Sequence, residues 1–247
     1  TDIPLENVYS GVVSLRTGSM TFHLGCDYTR DEHDVLCISP TKYIHKVIDA
    51  YKQMFGCSPP QNLLSPLEKG DHPEMDTSEL LDQEGIERYQ SLIGSLQWAV
   101  SLGRMDIATA VMTMSSFRAA PRVGHLERVK RIIGYVSKMR HAAIRVRMAE
   151  PDLSSYGIPD YDWMYTIYGD CREEIPVDAP PSLGRYVMTS HYVDANLMHD
   201  LVTGKSVTGC IHFFNQTPID AYTKKQATVE TATYGSEFVA ACTCTEQ

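Results

Sequence analysis

The stretch HYVDANLMHD, residues 191–200, decides how the rest of the chain is read. Its first half has the character of a strand, reaches Asp194, and then loosens into short polar residues. An aspartate at a strand end is ordinarily a turn former. The residues that follow change that reading. SVTGCIHFF (206–214) and PIDAYTKK (218–225) are further β-like runs, and TATYGSEFVAACTCTEQ (231–247) is helical in character, with Glu237 among small and apolar neighbours. An acid on a helix packed across a sheet can approach an acid at a strand end. Two such carboxylates, with further oxygen ligands, can hold Mg²⁺ ions that activate water against a phosphodiester.

Upstream, residues 150–184 are rich in Pro, Asp, Tyr and Gly and read as a linker or surface excursion between two units. Before them, HLERVKRIIGYVSKM sets Leu126, Val129, Ile133 and Val136 on one helical face and Arg128, Lys130, Arg131 and Lys138 on the other positions. Asp106 can cap IATAVMTMSSFRAA, and in IERYQSLIGSLQWAVSL the residues Tyr89, Leu92, Ile93, Leu96 and Val100 repeat at helical spacing. Residues 57–84 read as a long extended connection rather than a packed element. SPTKYIHKVIDAYKQMFG predicts a helix with Ser39 as N-cap, Pro40 at its first position and Gly56 at its end. MTFHLGCDYTRDEHDVLCI reads as a hairpin with a polar tip from Arg30 to Asp34.

The 247 residues, 43% of them hydrophobic, suffice for one large domain or two modest ones. No apolar run approaches the roughly 20 residues of a membrane-spanning helix, and no signal segment opens the chain, so it reads as soluble and intracellular. Seven cysteines without a C-x-x-C pair read as reduced thiols, and the C-x-C at Cys242 and Cys244 as small helix residues. His125 and His191 read as capping or surface residues, since no metal-ligand spacing joins the nine histidines. The net charge of −9 is uneven: residues 118–147 carry +8, which leaves −17 for the remainder. Either a polyanion partner or a solvated helix face accounts for such a window.

Taken together, RYQSLIGSLQWAV, MDIATAVMTMSSF, HLERVKRIIGYV, YVDAN, SVTGCIHFF and TKKQATVETATYGSEFVA resemble, in order, the C-terminal part of copia-type retrotransposon polyproteins. That part holds the end of the reverse transcriptase and the start of the ribonuclease H domain. The resemblance implies an α+β fold: an N-terminal β-hairpin with a helical thumb and connection unit over 1–148, a linker or insert over 149–184, and a truncated ribonuclease H-like three-stranded sheet with one helix over 185–247. It makes Asp194 and Glu237 the first two ligands of a two-ion Mg²⁺ site. Asn196 stands where the family often has a further Asp. Gly25, with Leu24, matches the hairpin that grips the primer, although on its own it is a strand irregularity. Arg128, Lys130, Arg131 and Lys138 match a region that contacts template and primer phosphates. Lys224 and Lys225 are either a solvated turn or backbone-phosphate contacts.

The implied partners are RNA–DNA hybrid, primer–template nucleic acid and the rest of the polyprotein, with no membrane, in a cytoplasmic particle or the nucleus. The polymerase's Tyr-x-Asp-Asp turn and the third ribonuclease H aspartate have no counterpart in the chain, and Asp200 and Asp220 match no family ligand. The leading expectation is therefore a non-catalytic segment with residual nucleic-acid affinity. The alternatives are an active Mg²⁺-dependent ribonuclease H that uses substitute ligands, and an inert structural remnant.

Overall fold

Alternating residues at 22–39 form three antiparallel strands, β1 (Phe22–His23), β2 (Cys26–Arg30) and β3 (Leu36–Ser39), with the polar tip where the sequence suggests it. Asp31 closes that tip by accepting from the backbone N–H groups of His33 and Val35 at 2.9 and 3.0 Å. The computed structural model describes residues 20–152 and 187–247, together with Ser154, Tyr165, Ile167, Gly169 and residues 176–179. The linker or insert expected over 149–184 lies largely outside the described residues.

Four helices follow the hairpin: α1 (Thr41–Phe55), α2 (Gln83–Ser101), α3 (Ala108–Ser115) and α4 (Val123–Lys138). Their apolar faces meet in one core in which Ile44, Tyr89, Ile93, Leu96, Ile132 and Ile133 are wholly buried. Burying each such aliphatic side chain contributes about 1.5–3 kcal/mol, an upper figure because unfolded chains are partly compact. Gly56 ends α1 in the left-handed conformation, as its position suggests. The start of α1 departs from expectation. Pro40 is the cap rather than the first helical residue, and the Ser39 hydroxyl hydrogen-bonds Thr41 at 3.0 Å instead of capping the helix.

Asp106 does not cap α3 either. It sits in a short 3₁₀ turn (Met105–Ile107) and accepts two hydrogen bonds, at 2.8 and 2.7 Å, from the buried guanidinium of Arg104. A buried cation outcompetes a helix end for a nearby carboxylate. Beyond α4, β4 (Ile144–Arg145) adds a fourth antiparallel strand to β3, an element too short to announce itself.

Residues 57–84 correct the sequence reading further. Apart from a 3₁₀ turn at Pro73–Met75 and the first two residues of α2 they lack regular structure, yet they are packed: Pro59 and Pro73 are buried, and Leu80 bridges Arg122. At Gly134 a β-carbon would come within 2.4 Å of the Pro60 carbonyl oxygen, so α4 and this segment touch backbone to backbone.

The second sheet is antiparallel, in the order β5 (Thr189–Asn196), β6 (Val207–Phe214), β7 (Thr217–Lys225), with β5 at an edge, and α5 (Thr233–Thr245) follows. The described residues thus form an α+β structure of five α-helices and two sheets. The sheet lies between two helices. On one face Thr223 meets Thr109 of α3 at 3.2 Å, and α5 covers the other, where Gln226 donates to the Ser236 carbonyl at 2.9 Å. No helix among the described residues is long and apolar enough to cross a membrane.

Candidate functional site

Strand register determines what Asp194 can meet. It pairs with Gly209 on β6, which pairs with Thr223 on β7, and directly paired residues share a face. That face looks toward α3. Asp194 is exposed and lines a cleft of about 280 Å³ with Met105, Ala108, Thr109, Tyr192 and Gly209, and it is the one carboxylate there among the described residues.

The α5 side of the sheet carries the alternate residues His191, Cys210 and His212. Glu237, half-buried, belongs to the helix on that side. By register Asp194 therefore belongs to the α3 face of the sheet, whereas Glu237 stands on the helix that covers the other face. A hard cation takes about six oxygen ligands, whereas the Asp194 cleft offers one carboxylate among apolar and hydroxyl groups. Among the described residues, no set of three close ligand-bearing side chains includes either acid. The residues present do not fit the two-ion site implied by the resemblance. Asn196 is hydrogen-bonded to His199 at 2.9 Å.

The cations of α4 are largely engaged by carboxylates. Arg128 donates to both oxygens of Asp71 at 2.8 Å and to Asp76 at 2.6 Å, while its backbone neighbour Gly124 accepts at 3.1 Å. The two carboxylates push the guanidinium pKa upward. Burial would lift the Asp76 carboxyl, but hydrogen bonds from Ser78 and the Arg128 charge prevail and hold it at about 2. Arg131 pairs with Glu68 at 3.0 Å. Lys130 pairs with Glu127 at 2.7 Å and stands 4.8 Å from the centre of the Phe55 ring. Lys138 alone of the four is exposed and has no ion pair among the described residues. The acids come mostly from 57–84, so the charge asymmetry of the sequence is partly cancelled in space.

Lys224 is exposed, whereas Lys225 is bonded to the buried Asp200. Burial raises the Asp200 carboxyl, yet Lys225 and the Thr203 N–H outweigh it and bring it to about 2. Gly25, at φ +95°, follows Leu24 at φ +48° in the two-residue β1–β2 turn. Positive φ at both central residues suits the twist of a tight hairpin. A β-carbon on Gly25 would lie 3.1 Å from Leu102. His125 is buried rather than on the surface, and it is a capping residue, as the sequence allows: it stands in the first turn of α4 and caps the Arg122 backbone. Its Nδ1 accepts from the Arg122 backbone at 3.1 Å, which makes Nε2 the donor to the Pro73 carbonyl at 2.9 Å.

One gathering of ligand types escapes the sequence reading. His191, His212 and Cys244, from β5, β6 and α5, bring one donor atom each within 4.8 Å of one another. Their sequence spacing follows no knuckle pattern, and only the β5–β6 register and the seat of α5 unite them.

Comparison with known proteins relates part of the chain to a mobile element. Over 102 residues, 41% of its length, it is 30% identical to a protein described as a putative transposon Ty5-1 protein of Saccharomyces cerevisiae. The match spans about 30% of that relative's length. No family model matches the chain, and no solved structure matches it significantly.

Proposed function

We propose that the chain is a segment of a copia-type retroelement polyprotein, drawn from the end of its reverse transcriptase and the beginning of its ribonuclease H unit. The observation that carries this reading is the similarity to the yeast Ty5-1 transposon protein. The β–β–β–α succession from β5 to α5, with an aspartate on its first strand and a glutamate on its helix, is consistent with it. So is the tight hairpin at Leu24 and Gly25 ahead of a helical unit.

In this proposal the whole polyprotein copies RNA into DNA and removes RNA from the hybrid with Mg²⁺. The chain's own share is non-catalytic: it holds nucleic acid through exposed cations such as Lys138 and Lys224, without sequence choice. Asp194, on the α3 face of the sheet, and Glu237, on the helix that covers the other face, do not form a hydrolytic pair.

The test is incubation of the purified chain with a labelled RNA–DNA hybrid, with and without Mg²⁺, beside an Asp194→Asn variant, together with a gel-shift titration at low salt. The expected result is retarded but uncut hybrid. Metal-dependent cutting abolished by Asp194→Asn would establish an active ribonuclease with substitute ligands. Absence of any retardation from folded protein would leave an inert remnant.

A further inference from the structure

Metal-binding chemistry gathers on the α5 side of the second sheet, across it from Asp194. His191 and His212 are cross-strand partners, and their Nδ1 atoms lie 2.5 Å apart, so one donates a hydrogen that the other accepts and both nitrogens face one small volume. The sulfur of Cys244 on α5 belongs to the same cluster, with all three donors inside 4.8 Å. His212 and Cys244 are buried and His191 is exposed. Behind His212, the Cys210 sulfur stands 3.5 Å from Nε2.

We propose that His191, His212 and Cys244 bind a zinc ion that fastens α5 to the sheet. The donor set of two imidazoles and a thiolate is one that Zn²⁺ takes in tetrahedral geometry and that Mg²⁺ and Ca²⁺ refuse. Zinc–nitrogen bonds of about 2.0–2.1 Å place two ligating nitrogens about 3.3 Å apart. The ring pair therefore opens by somewhat less than an ångström, which the exposed His191 can supply by turning outward. The ion occupies the place of the donated hydrogen. That hydrogen moves to the far nitrogen of its ring, both imidazoles stay neutral, and the Cys244 thiol releases one proton as its sulfur becomes a thiolate. Water takes the fourth position. The Cys210 sulfur accepts from the back of His212, the kind of outer contact that orients a ligating imidazole. The inference is independent of the retroelement reading and would stand without it.

The experiment uses the full chain, reduced and stripped of metal, titrated with Co²⁺ as a spectroscopic reporter and then with Zn²⁺ in competition. The expected result is the absorption of tetrahedral, thiolate-ligated cobalt, saturating at one ion per chain and erased by Zn²⁺, with a thermal midpoint that rises on adding Zn²⁺ and falls back with a chelator. His191→Asn, at an exposed position that leaves the core closed, loses the signal, as does Cys244→Ser. Cys242→Ser, exposed on the same helix, keeps it. No cobalt–thiolate band from folded wild type would overturn the proposal. So would a band that survives His191→Asn or Cys244→Ser, or one abolished by Cys242→Ser.

Discussion

Arg128 shows how a single residue type supports two readings. On a basic helix it suggests a phosphate contact, but here Asp71 and Asp76 hold it from two sides. Replacing it with Ala leaves both carboxylates without their cation. The expected loss lies toward the lower end of the roughly 3–5 kcal/mol seen for broken buried pairs, because the site is not fully dry. Denaturant unfolding of Arg128→Ala measures it, and unchanged stability would return Arg128 to the phosphate reading. The same carboxylates predict acid sensitivity. Asp76 and Asp200 are each depressed to about 2 from an ordinary 3.8, so the stability they contribute is present above about 4 and disappears as pH falls toward 2. Thermal midpoints across that window should fall for wild type and fall less steeply for Asp76→Asn. None of these partners was legible in sequence, because 57 residues separate Asp71 from Arg128.

At the scale of elements, periodicity carried the reading well. The strands β2, β3, β5, β6 and β7 and the helices α1, α2, α4 and α5 stand within a few residues of where alternation and helical spacing suggest them. The failures have a common cause. Ser39 and Asp106 are good capping residues whose side chains found better partners, and the segment 57–84 has the composition of a loop but is anchored by contacts distant in sequence. Its seat on α4 can be tested. Gly134→Ala adds one methyl group against the Pro60 carbonyl and should destabilise by about 1–3 kcal/mol, as overpacking does, although alanine favours a helix. Gly25→Ala should also destabilise, by more than the roughly 0.4–1 kcal/mol that a compatible substitution gains, since its φ of +95° disfavours any β-carbon. Equilibrium unfolding of both variants checks the pair. The candidate site was less legible than the elements: Asp194 and Glu237 could be named, but the face each belongs to depends on register and on where the helices pack.

For the whole molecule, the question is how much positive charge remains for a polyanion. Four helical contacts from Arg128, Lys130, Arg131 and Lys138 would give a plot of log affinity against log salt a slope of about −3.6 on duplex DNA, at about −0.9 per phosphate. With three of them paired internally, the expected slope from this helix is about −0.9. Fluorescence anisotropy over a salt series distinguishes the two, and a slope near the larger value would mean that the carboxylates release their cations on binding. The placement of the second sheet between α3 and α5 has a consequence for the chain as it leaves the ribosome. Units fold as they emerge, the N-terminal one first. The helical core is complete once α4 has appeared, long before β7, and so the α3 side of the sheet docks against a surface already built. Its other face, with the buried His212 and Cys210, must wait in solvent until α5 has been translated. That interval is when a nascent chain would most need a chaperone.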